Sequence, residues 1–241
     1  MRRNVAVILI AAASIGAACL GQAASPPATQ PTTQPAEAAA RPASYPVPLV
    51  VPLQWELKID IEPLRCLPMR LPGEKADRLF WYLMYTVTNL GEEDHVFVPE
   101  FVMFTGTGQL TRTGHSVPSA VFDEIKKLHA DPLLRTQTSV TRKILHGQDN
   151  AKSGAAIWPD FDPNAGTVDI FIGGLSGETK TLDLPKPVEV VETDWKGNHK
   201  TVTKDRLILT KTLHLRYLIP GEPASRRRTA PKLLMKEWVM R

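Results

Sequence analysis

The chain has 241 residues, of which 43% are hydrophobic, 22% charged and 7% aromatic, with 21 Pro, 15 Gly and 2 Cys. This composition excludes a collagen-like chain, a wholly disordered chain and a disulfide-dense miniprotein. The formal net charge is +4, and two of these positive charges come from Arg2 and Arg3 at the N-terminus.

The N-terminus has the three-part layout of a secretory signal peptide. Two arginines precede an apolar run from Val5 to Ala13, and small residues close the segment. This layout predicts a signal peptide at residues 1–24, cleaved after Ala23 or Ala24. The run is too short to cross a bilayer, which takes about 20 apolar residues. We therefore expect an exported protein, periplasmic or extracellular, without a membrane span and without a nucleic-acid partner.

A second interpretation of this segment centres on Cys19. The residues Gly16-Ala17-Ala18-Cys19 resemble the bacterial lipobox, in which a cysteine after small residues is lipidated and becomes the new N-terminus. The resemblance implies a lipoprotein anchored at a membrane. The lipobox carries Leu where Gly16 stands, which favours soluble export. In both interpretations no intramolecular disulfide is expected.

Residues 25–49 form a Pro/Ala/Thr-rich segment. It contains seven Pro, and Glu37 and Arg41 are its only charged residues. So few apolar side chains cannot offset the entropy of ordering the backbone, so we expect a disordered spacer biased to polyproline II. Two roles stay open, namely a tail without function and a stalk that holds the domain away from an anchor.

Residues 50–241 are predicted to form one folded domain. From Trp55 to Glu62 apolar and charged residues alternate, which is typical of a strand with one buried face. From Leu79 to Thr88 both faces are apolar, which indicates a central strand. Short strands are expected at His95–Val98 and Glu100–Thr105, separated by a proline that cannot donate to a ladder.

One helix interrupts the strands. Apolar residues at helical spacing predict it over Ser116–His129, with Ser116 as the N-cap. Lys196-Gly197-Asn198 is typical of the turn of a hairpin. The strands expected after the helix are Ser139–Leu145, Gly154–Trp158, Thr167–Ile172, Thr179–Leu184, Val188–Thr193, Thr201–Tyr217 and, at an edge, Lys232–Met240.

This order of elements predicts an all-β fold, specifically an Ig-like antiparallel β-sandwich with one inserted helix. Trp81-Tyr82-x3-Thr86-Val87-Thr88-Asn89 is followed by Gly91, and Gly173-Gly174-Leu175-Ser176 ends a later strand. These motifs resemble the Ig-like β-sandwich domains of uncharacterised bacterial secreted proteins over residues 54–184. The resemblance implies a fold and no activity.

Three residues that follow the sixth expected strand, Gly154–Trp158, are candidates for a weak calcium site. Asp160, Asp162 and Asn164 place oxygen ligands at alternate positions, as calcium loops do. An EF-hand loop would carry Gly at Ala165 and Glu at Phe171. An Asx-rich turn is the alternative interpretation.

No cofactor or catalytic motif is complete. Gly174-Leu175-Ser176-Gly177 has Glu178 where a nucleophile elbow carries its last Gly, so a turn at a sheet edge is expected. The six His show no metal-ligand spacing. We therefore expect no cofactor.

A basic stretch begins at Arg226, Arg227 and Arg228, and after Ser225 six bases stand against one acid. Such a stretch is a candidate surface for anionic envelope lipid or polysaccharide. Protection of a sheet edge is the alternative.

Together these patterns favour a non-enzymatic binding or structural module of the bacterial cell envelope. A hydrolase acting on envelope or extracellular polysaccharide is the alternative, with Asp160, Asp162 and Glu178 in the loops that would hold its site.

Overall fold

Strands dominate the computed structural model, which describes residues 45–114, 116–193, 198–222, 226 and 228–241. The strands are β1 (Lys58–Ile61), β2 (Arg65–Met69), β3 (Arg78–Thr88), β4 (His95–Phe97), β5 (Glu100–Thr105), β6 (Leu110–Arg112), β7 (Arg135–Thr136), β8 (Arg142–Ile144), β9 (Lys152–Pro159), β10 (Thr167–Gly173), β11 (Thr179–Thr193), β12 (His199–Leu218) and β13 (Lys232–Met240). The helices are α1 (Ser119–Leu128), α2 (Gln137–Val140) and a 3-10 turn at Gln148–Asn150. The prediction of an all-β class is confirmed, and Ala43–Arg241 is one compact unit.

β3 is the centre of the first sheet. β1 and β2 pair antiparallel with one edge of β3, β9 pairs antiparallel with the other edge, and β7 runs parallel to β9. Trp81 and Leu83 face the main core, whereas Phe80 and Met84 pack with α1. Both faces of β3 are therefore buried, as the sequence predicts, because the helix covers the second face.

The second sheet is built on β12. Its order is β11-β12-β10-β5-β6, with β13 also paired to β12, and β4 and β8 form a separate pair. Trp81 and Trp158 from the first sheet share one core with Ile170 and Leu213 from the second. The two large sheets are therefore held by one continuous apolar cluster.

The helix α1 begins three residues later than predicted. Pro118 occupies the N-cap position with an extended backbone (φ −63°, ψ 145°) and no side-chain cap. Ser116 has a positive φ of 59° and caps nothing. The prediction that Ser116 is the N-cap is wrong, because a residue that precedes proline avoids the helical region and the helix cannot include Val117.

The predicted strand Ser139–Leu145 is wrong over its first half. The chain forms α2 there, and the Thr136 hydroxyl caps it by accepting the Ser139 N–H at 3.3 Å. Only β8 remains extended. β2, β6 and β7 are absent from the predicted strands, because each is short and lacks a clear apolar alternation.

β11 and β12 form one long hairpin. β11 joins the two predicted strands Thr179–Leu184 and Val188–Thr193, and the register shifts between Asp183 and Val188. Pro185 and Pro187 stand at that shift, where they remove two ladder donors. The predicted turn residues Lys196 and Gly197 lie outside the described residues.

Residues 1–44 also lie outside the described residues. With them lie the predicted signal peptide, Cys19 and most of the Pro/Ala/Thr-rich segment. Within the part of the chain that is described, no helix combines the length and apolar character needed to cross a membrane.

Candidate functional site

The three predicted calcium residues share one loop between β9 and β10. Asp160 Oδ1 accepts Trp81 Nε1–H at 2.8 Å, and Asp162 Oδ1 accepts the backbone N–H of Asn164 at 2.8 Å. The bond from the Asn164 N–H also lowers the pKa of Asp162. In the described ranges no three His, Cys, Asp or Glu side chains come together as a metal site requires. The geometry is that of an Asx turn, and calcium binding stays a prediction.

Arg226 fills the inside of the same loop. Its guanidinium donates to the carbonyls of Asp162 at 3.2 Å, Pro163 at 2.6 Å and Ala165 at 2.9 Å. It also lies 5.1 Å from the centre of the Phe161 ring. Only 2% of the residue is exposed, so Arg226 organises this loop instead of presenting charge to a partner.

The other two arginines of the predicted basic surface are placed differently. Arg228 is exposed, and Arg227 lies outside the described residues. Of Arg226, Arg227 and Arg228, the described residues therefore contain one arginine, Arg228, that a partner could reach.

Glu178 belongs to a buried ion cluster. Lys211 Nζ lies 3.4 Å from a carboxylate oxygen of Glu178 and 2.7 Å from one of Glu56, and Lys211 is 2% exposed. The backbone of Leu49 closes the cluster, since its N–H donates to Glu178 at 2.9 Å and its carbonyl accepts from Lys211 at 3.3 Å. Glu178 therefore pairs inside the fold, and the end of the Pro/Ala/Thr-rich segment lies against the domain.

A second cluster lies on the opposite face of the second sheet. His214 Nε2 is 2.7 Å from Asp169 Oδ1, and His214 Nδ1 is 3.3 Å from Glu237 Oε1. Arg216 contacts both Asp169 oxygens, at 2.7 and 3.2 Å. Burial alone would raise the pKa of Asp169, but the hydrogen bonds from Arg216 and His214 outweigh it and lower that pKa. Because carboxylates engage both ring nitrogens, His214 has no nitrogen left for a substrate.

A cleft of about 770 Å³ lies between the start of α1 and α2, and we call it the helix cleft. Gln137 spans its floor, donating to the Pro99 carbonyl at 2.8 Å and accepting from the Thr113 hydroxyl. The apolar wall consists of Val98, Pro99, Val117, Phe122 and Ile157, and the polar wall of Thr113, Thr136, Gln137, Thr138, Thr141 and Arg142. This volume is in the range of small-molecule sites.

The rim of the helix cleft is basic at one end. Arg142 is the one ionisable side chain among the described residues that line it. Burial, followed by the charges of Arg135 and Arg142, lowers the pKa of nearby Lys152. Positive charge is thus concentrated beside an otherwise neutral cleft.

A smaller pocket of about 270 Å³, the acidic notch, carries the opposite charge. Asp60, Glu62 and Asp131 line it together with the hydroxyls of Thr86 and Ser153, which lie 2.9 Å apart. Two of the carboxylates have cationic partners in the chain, at 2.9 Å for Asp60 and 3.1 Å for Glu62. None of these acids carries a recognisable sequence motif.

The helix cleft was not predictable from the sequence pattern, because Gln137 and Thr138 on its polar wall belong to α2. The pattern does not predict this helix and assigns its last two residues to the strand Ser139–Leu145. One signal for it exists. Thr136 is followed by the polar run Gln137-Thr138-Ser139, and a threonine before such a run is a standard N-cap.

Comparison with known proteins adds little to this geometry. No family model matches the chain, and no curated protein matches it. Among solved structures, the X-ray structure of Northeast Structural Genomics Consortium target SoR45 is similar at 8% identity and a TM-score of 0.27. The match covers 64% of this chain and 85% of that one. A likeness at this level carries no argument about fold or function.

Proposed function

We propose that the chain is a non-enzymatic binding module of the bacterial cell envelope and that its ligand enters the helix cleft. The observation that supports this function is the lining, in which apolar walls, hydroxyls and a fixed amide surround a single described ionisable group, Arg142. Acid–base catalysis needs a positioned proton donor or acceptor. Binding needs only shape and a few oriented polar groups, and this lining has them.

The proposed architecture is an Ig-like β-sandwich. Two large sheets with one shared core support it. The proposed location is outside the cytoplasm, supported by the signal-peptide pattern of residues 1–24. Lipidation of Cys19 is the alternative that would anchor the same domain at a membrane.

The proposed ligand is an anionic amphiphile such as an envelope lipid. Val117, Phe122 and Ile157 offer an apolar wall to its hydrocarbon part. Arg142 lines the cleft and can pair with an acidic head group, and Arg135 adds charge nearby. A neutral apolar molecule would gain nothing from this charge.

Calorimetric titration with palmitate, and with its uncharged methyl ester, tests this function. Arg142→Gln should weaken palmitate binding about fivefold and leave the ester unchanged, because it removes only the head-group contact. Arg70→Gln, which removes an equal charge away from the cleft, should leave both affinities unchanged. Absence of saturable palmitate binding, or equal loss in the two variants, would refute the proposed ligand.

A hydrolase is the second candidate, and the acidic notch favours it. Glycoside hydrolysis usually requires two carboxylates on either side of the bond that is cleaved. Glu62, which pairs with Arg65, and Asp131 both line this pocket. The test incubates the purified chain with peptidoglycan and measures new reducing ends. Turnover that disappears in Asp131→Asn and in Glu62→Gln would replace the binding module by an enzyme.

A further inference from the structure

We propose a second ligand site, separate from the helix cleft, which binds the carboxylate of a sugar in an acidic polysaccharide. The site is a notch of about 400 Å³ formed by four separate parts of the chain. Its polar lining comprises Arg65 and Cys66 of β2, Tyr82 of β3, His129 after α1, and Arg226, Arg228 and Thr229 before β13. Arg226 is committed to backbone carbonyls, which leaves Arg65 and Arg228 as the guanidinium groups for a ligand. We call it the basic notch.

The inner part of the basic notch fixes the position of Arg65. The Tyr82 hydroxyl lies 3.1 Å from His129 Nε2, and Arg65 Nη1 lies 3.4 Å from the same nitrogen. Arginine can only donate and the Tyr82 hydroxyl can donate as well, so Nε2 is the acceptor and the ring proton is assigned to Nδ1. Glu62 holds Arg65 Nη2 at 3.1 Å on the other side. The guanidinium is thus oriented before a ligand arrives.

Arg228 supplies the second cation. It has no hydrogen-bond or ion-pair partner among the described residues, whereas Arg226, two positions earlier, is buried on backbone carbonyls. The buried arginine holds this part of the chain against the domain, which places Arg228 at the notch opposite Arg65. Two guanidinium groups around one opening favour an oxyanion, which each can bind through two N–H groups.

The C-terminal end of α1 beside the notch makes anion binding there depend on both arginines. α1 ends at Leu128, and its last carbonyls add partial negative charge there. Glu62 already neutralises part of the charge of Arg65. One arginine alone therefore holds an anion weakly, and removal of either should abolish most of the binding.

The shape of the basic notch favours a polysaccharide over a membrane surface. Tyr82 is 2% exposed and Leu64 is fully buried, so the floor lies below the molecular surface. A single sugar chain can place a carboxylate in such a recess, and the apolar wall of Leu128 and Pro231 can contact the ring. A flat bilayer could reach the exposed Arg228, but it could not enter the recess above Tyr82 and Leu64.

Titration of the full chain with tri-galacturonate tests this site, with a neutral oligosaccharide of the same length as the ligand control. The wild type should bind only the acidic ligand, and added salt should weaken the binding by screening. Arg228→Gln and Arg65→Gln should each weaken it about fivefold or more. The control is Arg70→Gln, which removes an exposed arginine outside the notch and should leave the affinity unchanged.

Three results would overturn the proposal. The first is no binding of tri-galacturonate by the wild type, and the second is equal loss in Arg70→Gln, which would indicate diffuse charge. The third is binding of phosphatidylglycerol vesicles, but not tri-galacturonate, that depends on Arg228. Arg228 is exposed, so its variant keeps the test valid even where thermal melting shows that Arg65→Gln fails to fold. Arg142→Gln should leave this binding intact, so failure here is distinguishable from failure of the helix cleft.

Discussion

Replacement of Arg226 by alanine should destabilise the fold far more than the same change at Arg228. The Arg226 guanidinium donates three hydrogen bonds of 2.6 to 3.2 Å to backbone carbonyls and is 2% exposed. A hydrogen bond that involves a charged group contributes about 1.5–3 kcal/mol. The carbonyls of Asp162 and Pro163 lie near the surface, where water can replace the arginine. We therefore expect a loss of about 3–5 kcal/mol, below the sum of three full bonds.

Urea denaturation of matched variants measures this loss. In a chain of this size, it corresponds to a melting temperature lower by roughly 10 °C. Arg226→Lys should recover only about half of the loss, because one ammonium cannot span the three carbonyls as a planar guanidinium does. Arg228→Ala should stay within about 0.5 kcal/mol of the wild type. A value for Arg226→Ala within about 1 kcal/mol of the wild type would refute the idea that this side chain holds the loop.

Gly174→Ala should cost about 3 kcal/mol or more, because φ is +81° and an added Cβ would clash with the Val98 carbonyl oxygen. Gly73→Ala, with φ +86° but open space around it, should cost only about 1 kcal/mol, and equal losses in urea denaturation would contradict the clash. Tyr85→Phe should be neutral or stabilising by up to about 1 kcal/mol, since the buried Tyr85 hydroxyl has no hydrogen-bond partner among the described residues. Tyr82→Phe should cost about 1 kcal/mol, because it removes the hydrogen bond to His129. A lower melting temperature for Tyr85→Phe than for Tyr82→Phe would contradict this reasoning. The pKa of Asp169 is lowered in the folded state, so the ionised carboxylate should stabilise the fold fully above about pH 4 and lose this effect as pH falls further. Urea denaturation at several pH values should show this dependence of the free energy of unfolding in the wild type but not in Asp169→Asn.

The strands that pack on an apolar core were predictable from the sequence. β3 shows why, because Trp81, Leu83 and Tyr85 alternate with Phe80 and Tyr82, and both faces find an apolar neighbour. Burial of such residues contributes enough free energy to decide the conformation locally. The local apolar pattern is therefore sufficient to predict this strand without its tertiary contacts.

Elements without an apolar pattern were not predictable. α2 follows a capping threonine, but Val140 is its one buried side chain, so the periodicity there is as compatible with a strand as with a helix. β2 carries Pro68 and Arg65, and it is extended because β3 offers a free edge to pair with. In both cases a tertiary partner, and not local propensity, selects the conformation.

The burial of individual charged residues was also not predictable from the sequence. Arg226 and Arg228 are two positions apart and chemically identical, yet one is buried on carbonyls and the other is exposed at the basic notch. A count of charge along the chain treats them alike. The difference arises because three carbonyls of the loop after β9 can accept hydrogen bonds from one buried guanidinium in place of water. Only one arginine can occupy this position. Arg65 lines the same notch as Arg228 because β2 pairs with β3 and places Arg65 beside His129. The proposed binding surface at the basic notch therefore depends on strand pairing, which determines which charged side chains lie close together.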